Sequence, residues 1–125
     1  MRVIPAYVHG ICDYIGALAL MSVPYVFGFN ELGGPAVWIA RILGLVILLQ
    51  AMATDFEVGV MRILPMKMHL MNDYIASVFL AASPFLFGFY HEPYHVWLPH
   101  VVIGVAILIG SLATETEPRT TAVRT

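Results

Sequence analysis

The chain repeats itself after 60 residues. Met1-Arg2-Val3-Ile4-Pro5 returns as Met61-Arg62-Ile63-Leu64-Pro65, and His9, Asp13, Tyr14 and Ile15 return as His69, Asp73, Tyr74 and Ile75. Pro24 and Phe27-Gly28-Phe29 return as Pro84 and Phe87-Gly88-Phe89, and Ala53-Thr54 returns as Ala113-Thr114. Self-similarity at a fixed period means one supersecondary unit used twice. Whatever the first copy folds into, the second must also fold into, and polar residues present in both copies become the first candidates for a site.

Each copy is too apolar for a water-facing surface. Of 125 residues 60% are hydrophobic and 11% charged, with a mean hydropathy of +0.84, whereas soluble domains carry about 25% charged residues. The integral-membrane class follows, with the lipid bilayer as the first partner. A net charge of -2 offers no basic field, so no nucleic-acid partner is expected. Cys12 is the single cysteine; set in an apolar run, it reads as a small buried hydrophobe. The N-terminal apolar stretch is broken by His9 and Asp13, lacks a small-residue cleavage site and recurs at residue 61. It is expected to be a span and not a cleaved leader.

A helical crossing needs about 20 mostly apolar residues. Four segments qualify: Ala6 to Phe29, Ala36 to Ala53, Met66 to Phe89 and Val96 to Ala113. The expected fold is all-α and integral to the membrane, with four transmembrane helices from two tandem two-helix repeats. Residues 1–115 form one transmembrane domain, with repeat one at 1–57 and repeat two at 61–117, and 118–125 form a polar tail that frays. Pro5 and Pro65 are expected in the first helical turns. Arg2, Arg62, Lys67, Arg119 and Arg124 fall on one side, which places both termini in the cytoplasm of a multi-pass cell-membrane protein. Arg41 is the exception, one turn inside span two, from where its stem can snorkel outward. Two spans per repeat give both copies the same direction of insertion, related by a pseudo-two-fold along the membrane normal.

On span one, positions 9, 13, 20, 24 and 27 are identical in span three and lie on one helical face. Gly16 and Ala17, matched by Ala76 and Ser77, are placed on that face and allow close approach. His9 and Asp13 are one turn apart, as are His69 and Asp73, so each pair can meet. A carboxylate at mid-membrane costs about 2.5–3.5 kcal/mol, so this intramembrane quartet demands partners. Three readings compete. Each Asp accepts from its own His, from Tyr14 or Tyr74, or from Arg2 or Arg62, tying helices together. Alternatively the quartet binds a metal, or His9 and His69 ligate a haem. Or His and Asp relay protons or ions, a path that needs polar continuation through Arg41, Gln50, Ser22, Ser77, Ser83 and His100. The first reading needs no cofactor. Pro24 and Pro84 favour kinks near the outer ends, and Gly28 and Gly88 relax the helix exits and leave the flanking rings at the interface.

His91-Glu92-Pro93-Tyr94-His95 matches the zinc-protease pattern, but that chemistry needs one continuous helix and Pro93 opposes it. His91 and His95 remain, with His9 and His69, weak metal candidates. No catalytic constellation is present and no enzyme is expected. The methionines Met61, Met66, Met68 and Met71 read as core or lipid-facing fillers in place of soft-metal ligands.

The duplicated unit, with Ser83-Pro84-Phe85 before Phe87-Gly88-Phe89, the preceding His-x-x-x-Asp and a Val-Trp opening to the next span, resembles the SPW-repeat proteins. These are small bacterial and archaeal integral membrane proteins built from a two-helix repeat. The resemblance covers residues 1 to 117. Two departures stand out: the first copy reads Ser22-Val23-Pro24-Tyr25, with an extra residue between Ser and Pro, and Tyr25 and Phe85 replace the motif tryptophan. The resemblance implies the fold and no particular activity. The leading expectation is a non-enzymatic membrane bundle that associates with itself as a homo-oligomer or joins a larger membrane protein complex. A proton or ion conduit is second and a metal or haem binder third.

Overall fold

The computed structural model of the chain describes residues 2–118, and among these it is all-helical. Helix α1 spans Ala6–Val26, α2 Pro35–Ala53, α3 Met66–Leu86 and α4 Tyr94–Leu112, with short 3-10 turns at Asn30–Leu32 and Phe89–His91. Arg119, Arg124 and the expectation of a fraying tail beyond Pro118 lie outside the described residues, as does Met1.

The sequence explains where each helix starts and stops. Pro5 and Pro65 sit one position earlier than expected, as extended N-caps with φ/ψ of -62/148° and -60/145°; a residue that cannot donate an N–H suits that junction. Spans one and three end earlier than expected. Gly28 and Gly88 adopt left-handed φ of 76° and 78°, which a side chain strongly disfavours, so the chain turns there. Pro24 and Pro84 are buried inside the last turns of α1 and α3. Phe27 and Phe87 leave the inward face and are half-exposed, because the helix has already ended. Phe29 and Phe89, expected at the interface, are instead buried, with ring centroids 6.1 and 4.8 Å from that of His100.

Helix α1 packs along α2 and α3 along α4. The contact works because the second helix of each hairpin presents glycine. A Cβ on Gly104 would lie 2.6 Å from the Ala81 backbone nitrogen and 2.8 Å from the Ser77 carbonyl, and one on Gly44 would lie 2.9 Å from the Ala17 carbonyl. Ala17 and Ser77, fully buried, are the small residues on the facing helices. Gly16 is not; it is exposed with open space before it, since each residue turns the helix by about 100° and Ala17 holds the centre of the inward arc.

The two hairpins are joined by two matching seams. Ile4 bridges Thr114 in parallel, and Leu64 bridges Thr54. The Ala113 carbonyl accepts from the Val3 and Ile4 amides at 2.7 and 2.9 Å, and Glu115 N–H donates to the Ile4 carbonyl at 2.8 Å. The Ala53 carbonyl accepts from the Ile63 and Leu64 amides, both at 2.8 Å, and Asp55 N–H donates to the Leu64 carbonyl at 2.7 Å. Every residue of one seam stands 60 positions from its counterpart in the other.

Apolar packing divides into two clusters. The larger, toward the hairpin turns, gathers Leu20, Ile39, Ile47, Leu80, Phe89 and Val96 among others; the smaller, toward the seams, gathers Ala6, Ala51, Phe56, Met66 and Leu70. Large apolar side chains also cover the outside of all four helices, Ile15, Leu49, Ile75 and Ile109 among them. Helices α1, α2 and α4 are long and apolar enough to cross a membrane. Helix α3 has the length, but Lys67, Asn72 and Asp73 lower its hydropathy below theirs.

The glycine seam gives a first prediction. Gly104→Ala should lower the thermal midpoint of the detergent-solubilised protein by an amount equivalent to about 1–3 kcal/mol, because the new Cβ meets fixed backbone. Gly110→Ala, whose Cβ meets nothing within 4 Å, should leave the midpoint unchanged or slightly higher.

Candidate site of two histidines and two aspartates

The inward face of α1 carries His9 and Asp13, and that of α3 carries His69 and Asp73. The structure brings all four together. The pairing is crossed: His9 Nε2 lies 2.9 Å from Asp73 Oδ2, and His69 Nε2 lies 2.8 Å from Asp13 Oδ2. Each histidine is further from the aspartate of its own helix, 3.3 Å in both cases. The expected within-helix pairs are therefore the weaker contacts. Side chains four apart on a helix point side by side, whereas those on facing helices point at each other. The two imidazoles meet edge to face with centroids 5.3 Å apart.

The other ring nitrogens are also held. His9 Nδ1 lies 2.8 Å from Thr114 Oγ1, and His69 Nδ1 lies 2.7 Å from Thr54 Oγ1. Each threonine hydroxyl donates to the carbonyl one turn back, Gly110 and Gln50 respectively, at 2.6 Å. A hydroxyl has one proton, so each threonine can only accept from its histidine, and both Nδ1 atoms carry hydrogen. Each remaining Nε2–Oδ2 gap then holds one proton, on the nitrogen or on the oxygen. In either assignment the four side chains together carry no net charge. This neutrality reduces the penalty of burying four ionisable groups.

The two aspartates are not equivalent. Asp73 also accepts from the Gln50 amide on Oδ1 at 2.9 Å and from the Ser111 hydroxyl on Oδ2 at 3.0 Å. Sixty residues away, the positions corresponding to Gln50 and Ser111 are Gly110 and Ala51, which offer Asp13 no side-chain donor. Asp73 is accordingly 2% exposed and Asp13 11%. Asp13 and His9 border a groove of about 400 Å³ between α1 and α4, floored by Gly16, Ala106 and Gly110. Cys12, expected to be buried, is exposed on its rim.

With this arrangement in view, comparison with known proteins is decisive on lineage. The model of the SPW repeat domain matches residues 7–114. The chain belongs to the SPW-repeat family. No curated protein and no solved structure matches it. Family and apolar helices together make this SPW-repeat protein a small membrane protein.

The remaining residues singled out from the sequence of this SPW-repeat protein take other places. Tyr14 and Tyr74 do not reach the carboxylates. The Tyr14 hydroxyl donates to the Val58 carbonyl at 2.8 Å, and the Tyr74 hydroxyl accepts from Arg2 at 3.0 Å. Arg2 also donates to the Thr114 carbonyl at 2.7 Å, and Arg62 to the Glu57 carbonyl at 2.9 Å, so both guanidinium groups serve the loops and seams. Arg41 turns back toward the hairpin loop, donating to Asn30 and lying over the Tyr25 ring. His100 stands apart from the quartet, donating through Nε2 to the Ala36 carbonyl at 2.9 Å. His91 and His95 are separated by the extended Pro93, with His91 in the 3-10 turn and His95 in α4, so the zinc-protease geometry does not form. Gln50, read as a step toward the outer face, instead serves Asp73. The threonines and Ser111 are the site members that sequence reading missed, and Gln50 is the one it read in another role. The repeat of Ala53-Thr54 as Ala113-Thr114 was the available signal for the threonines; nothing local marked the others.

Because Asp73 has three close hydrogen-bond partners and Asp13 one, Asp73→Leu should destabilise the solubilised protein more than Asp13→Leu. Breaking a buried pair costs about 3–5 kcal/mol, and the smaller figure belongs to Asp13. Thr54→Val should cost about 1–3 kcal/mol by orphaning His69 Nδ1. Thermal melts of the three variants in one detergent provide the ranking.

Proposed function

We propose that this protein is a four-crossing cell-membrane bundle with both termini in the cytoplasm, non-enzymatic, whose work is done by association with itself or with another membrane protein. In this reading the two hairpins are parallel repeats about an axis along the membrane normal, and the crossed His–Asp contacts clasp them. The clasp is the observation that carries it. Every ring nitrogen of His9 and His69 has a partner inside the chain, which is what a tie between helices requires.

Charge placement supports the orientation: Arg2, Arg62 and Lys67 gather at the seam end, while the hairpin loops carry no Lys or Arg. Helix α3 crosses with its polar face turned inward among the other three helices, so His69, Asp73 and Ser77 meet protein instead of lipid. A through-path for protons draws no comparable support. Beyond the quartet, Leu20, Leu80, Ile39 and Ile47 are packed and buried, and the next buried imidazole, His100, is occupied with the Ala36 carbonyl. A haem between His9 and His69 draws none either, because Asp13 and Asp73 flank both Nε2 atoms where a porphyrin would have to pass. Association is suggested by the size of the unit, since four helices cover little of each other's apolar surface and leave residues such as Ile15, Ile75 and Ile109 facing outward.

Size exclusion with light scattering in mild detergent should give a mass above one chain, and Asp73→Leu should shift it or lower stability. A monomer whose behaviour Asp73→Leu leaves untouched would refute the reading. Proteoliposomes carrying wild type and the Asp13→Asn/Asp73→Asn double variant should show equal proton leak; a leak specific to wild type would restore the conduit.

A further inference from the structure

We propose that the quartet is also a binding site for one divalent first-row transition-metal ion, held by His9 Nε2, His69 Nε2, Asp13 Oδ2 and Asp73 Oδ2. The inference rests on the clasp reading only in using the same four side chains. The geometry points to it first. The four atoms alternate nitrogen and oxygen around a closed ring with edges of 2.9, 3.3, 2.8 and 3.3 Å, and all lie within 4.8 Å of one another. The mean half-diagonal of such a ring is about 2.2 Å when flat and less when puckered, close to the 2.0–2.2 Å at which Zn²⁺ holds imidazole nitrogen and carboxylate oxygen. A contraction of a few tenths of an ångström suffices to close the ligands on an ion.

The surroundings are those of a built site. A ligating histidine is oriented by a partner on its other ring nitrogen. Thr114 and Thr54 do this here, each accepting from Nδ1 and so aiming Nε2 at the centre. Gln50 holds the outer oxygen of Asp73 and leaves Oδ2 pointing inward. Two imidazoles with two carboxylates suit borderline divalent ions over Ca²⁺ or Mg²⁺, which prefer all-oxygen shells.

Charge completes the case. The ion-free centre holds one proton in each of its two Nε2–Oδ2 gaps. One M²⁺ displaces those two protons and leaves two neutral imidazoles, two carboxylates and one dication, so the net charge of the centre stays zero. In a low-dielectric interior, an exchange that keeps neutrality avoids the large penalty of an uncompensated ion. The His91 and His95 loop, exposed and divided by Pro93, has neither the ring of ligands nor the orienting hydroxyls.

The test uses the full chain in detergent, in a His91→Ala/His95→Ala background that removes loop binding. Zn²⁺ titration should show one site per chain and release close to two protons per ion into weakly buffered solution. Co²⁺ should give visible absorption with mixed nitrogen–oxygen, low-coordinate character. Asp13→Asn, whose amide still hydrogen-bonds the imidazole, should weaken Zn²⁺ binding at least ~100-fold, and Thr54→Val about 10–100-fold. Absent binding, binding without proton release, or affinity unmoved by Asp13→Asn overturns the proposal. The proton count and cobalt spectrum of the His91→Ala/His95→Ala protein with its quartet intact decide it even where a further variant does not fold. Failure of the clasp reads out separately, as ion-free melting temperatures insensitive to Asp73→Leu.

Discussion

A carboxylate enclosed among apolar helices must find hydrogen-bond donors, and in this chain it finds them on the opposite repeat. The crossed contacts from His9 to Asp73 and from His69 to Asp13 set the spacing of α1 and α3 and fix the facing of their inward arcs. They also dictate where the seams fall, because Thr54 and Thr114 must stand beside the rings they orient. The glycine contacts of α2 and α4 then bring the second helix of each hairpin in close. Apolar burial supplies much of the cohesion, but apolar surfaces alone would allow many registers. The directional polar centre selects one.

Much of this architecture was legible in the primary structure, for identifiable reasons. The 60-residue period and the long apolar runs left little freedom over helix number and pairing. The inward face of α1 and α3 followed from His9, Asp13, Leu20 and Pro24 standing on one arc. Helix ends were less legible, because Phe27-Gly28-Phe29 is as apolar as the span it terminates and only the left-handed φ of Gly28 separates them. The crossed pairing was hidden for another reason. Sequence spacing reports neighbours on one helix, and the contacts that matter here join residues 64 and 56 positions apart. Gln50 and Ser111 were hidden because they break the internal repeat. Comparison of the two copies marks what they share, and these residues act where the copies differ.

That difference gives the centre a direction. Asp73 is enclosed by Gln50 and Ser111, while the residues 60 positions from these, Gly110 and Ala51, give Asp13 no donor, and Asp13 opens on the groove between α1 and α4. The enclosed carboxylate is tied by Gln50 and Ser111 as well as by His9, and the other mainly by His69. Two copies of one sequence unit thereby hold their acids unequally.

The paired seams have a topological consequence. Ile4 meets Thr114 through the same backbone contacts by which Leu64 meets Thr54, although only the second pair is joined by a short covalent loop. Chain order is thus immaterial to the closure: a circular permutant with the second hairpin first would present the same edges. Two unlinked hairpins could form the same closed ring. The covalent link lets the halves drift apart in sequence, so that one copy carries glutamine where its twin carries glycine.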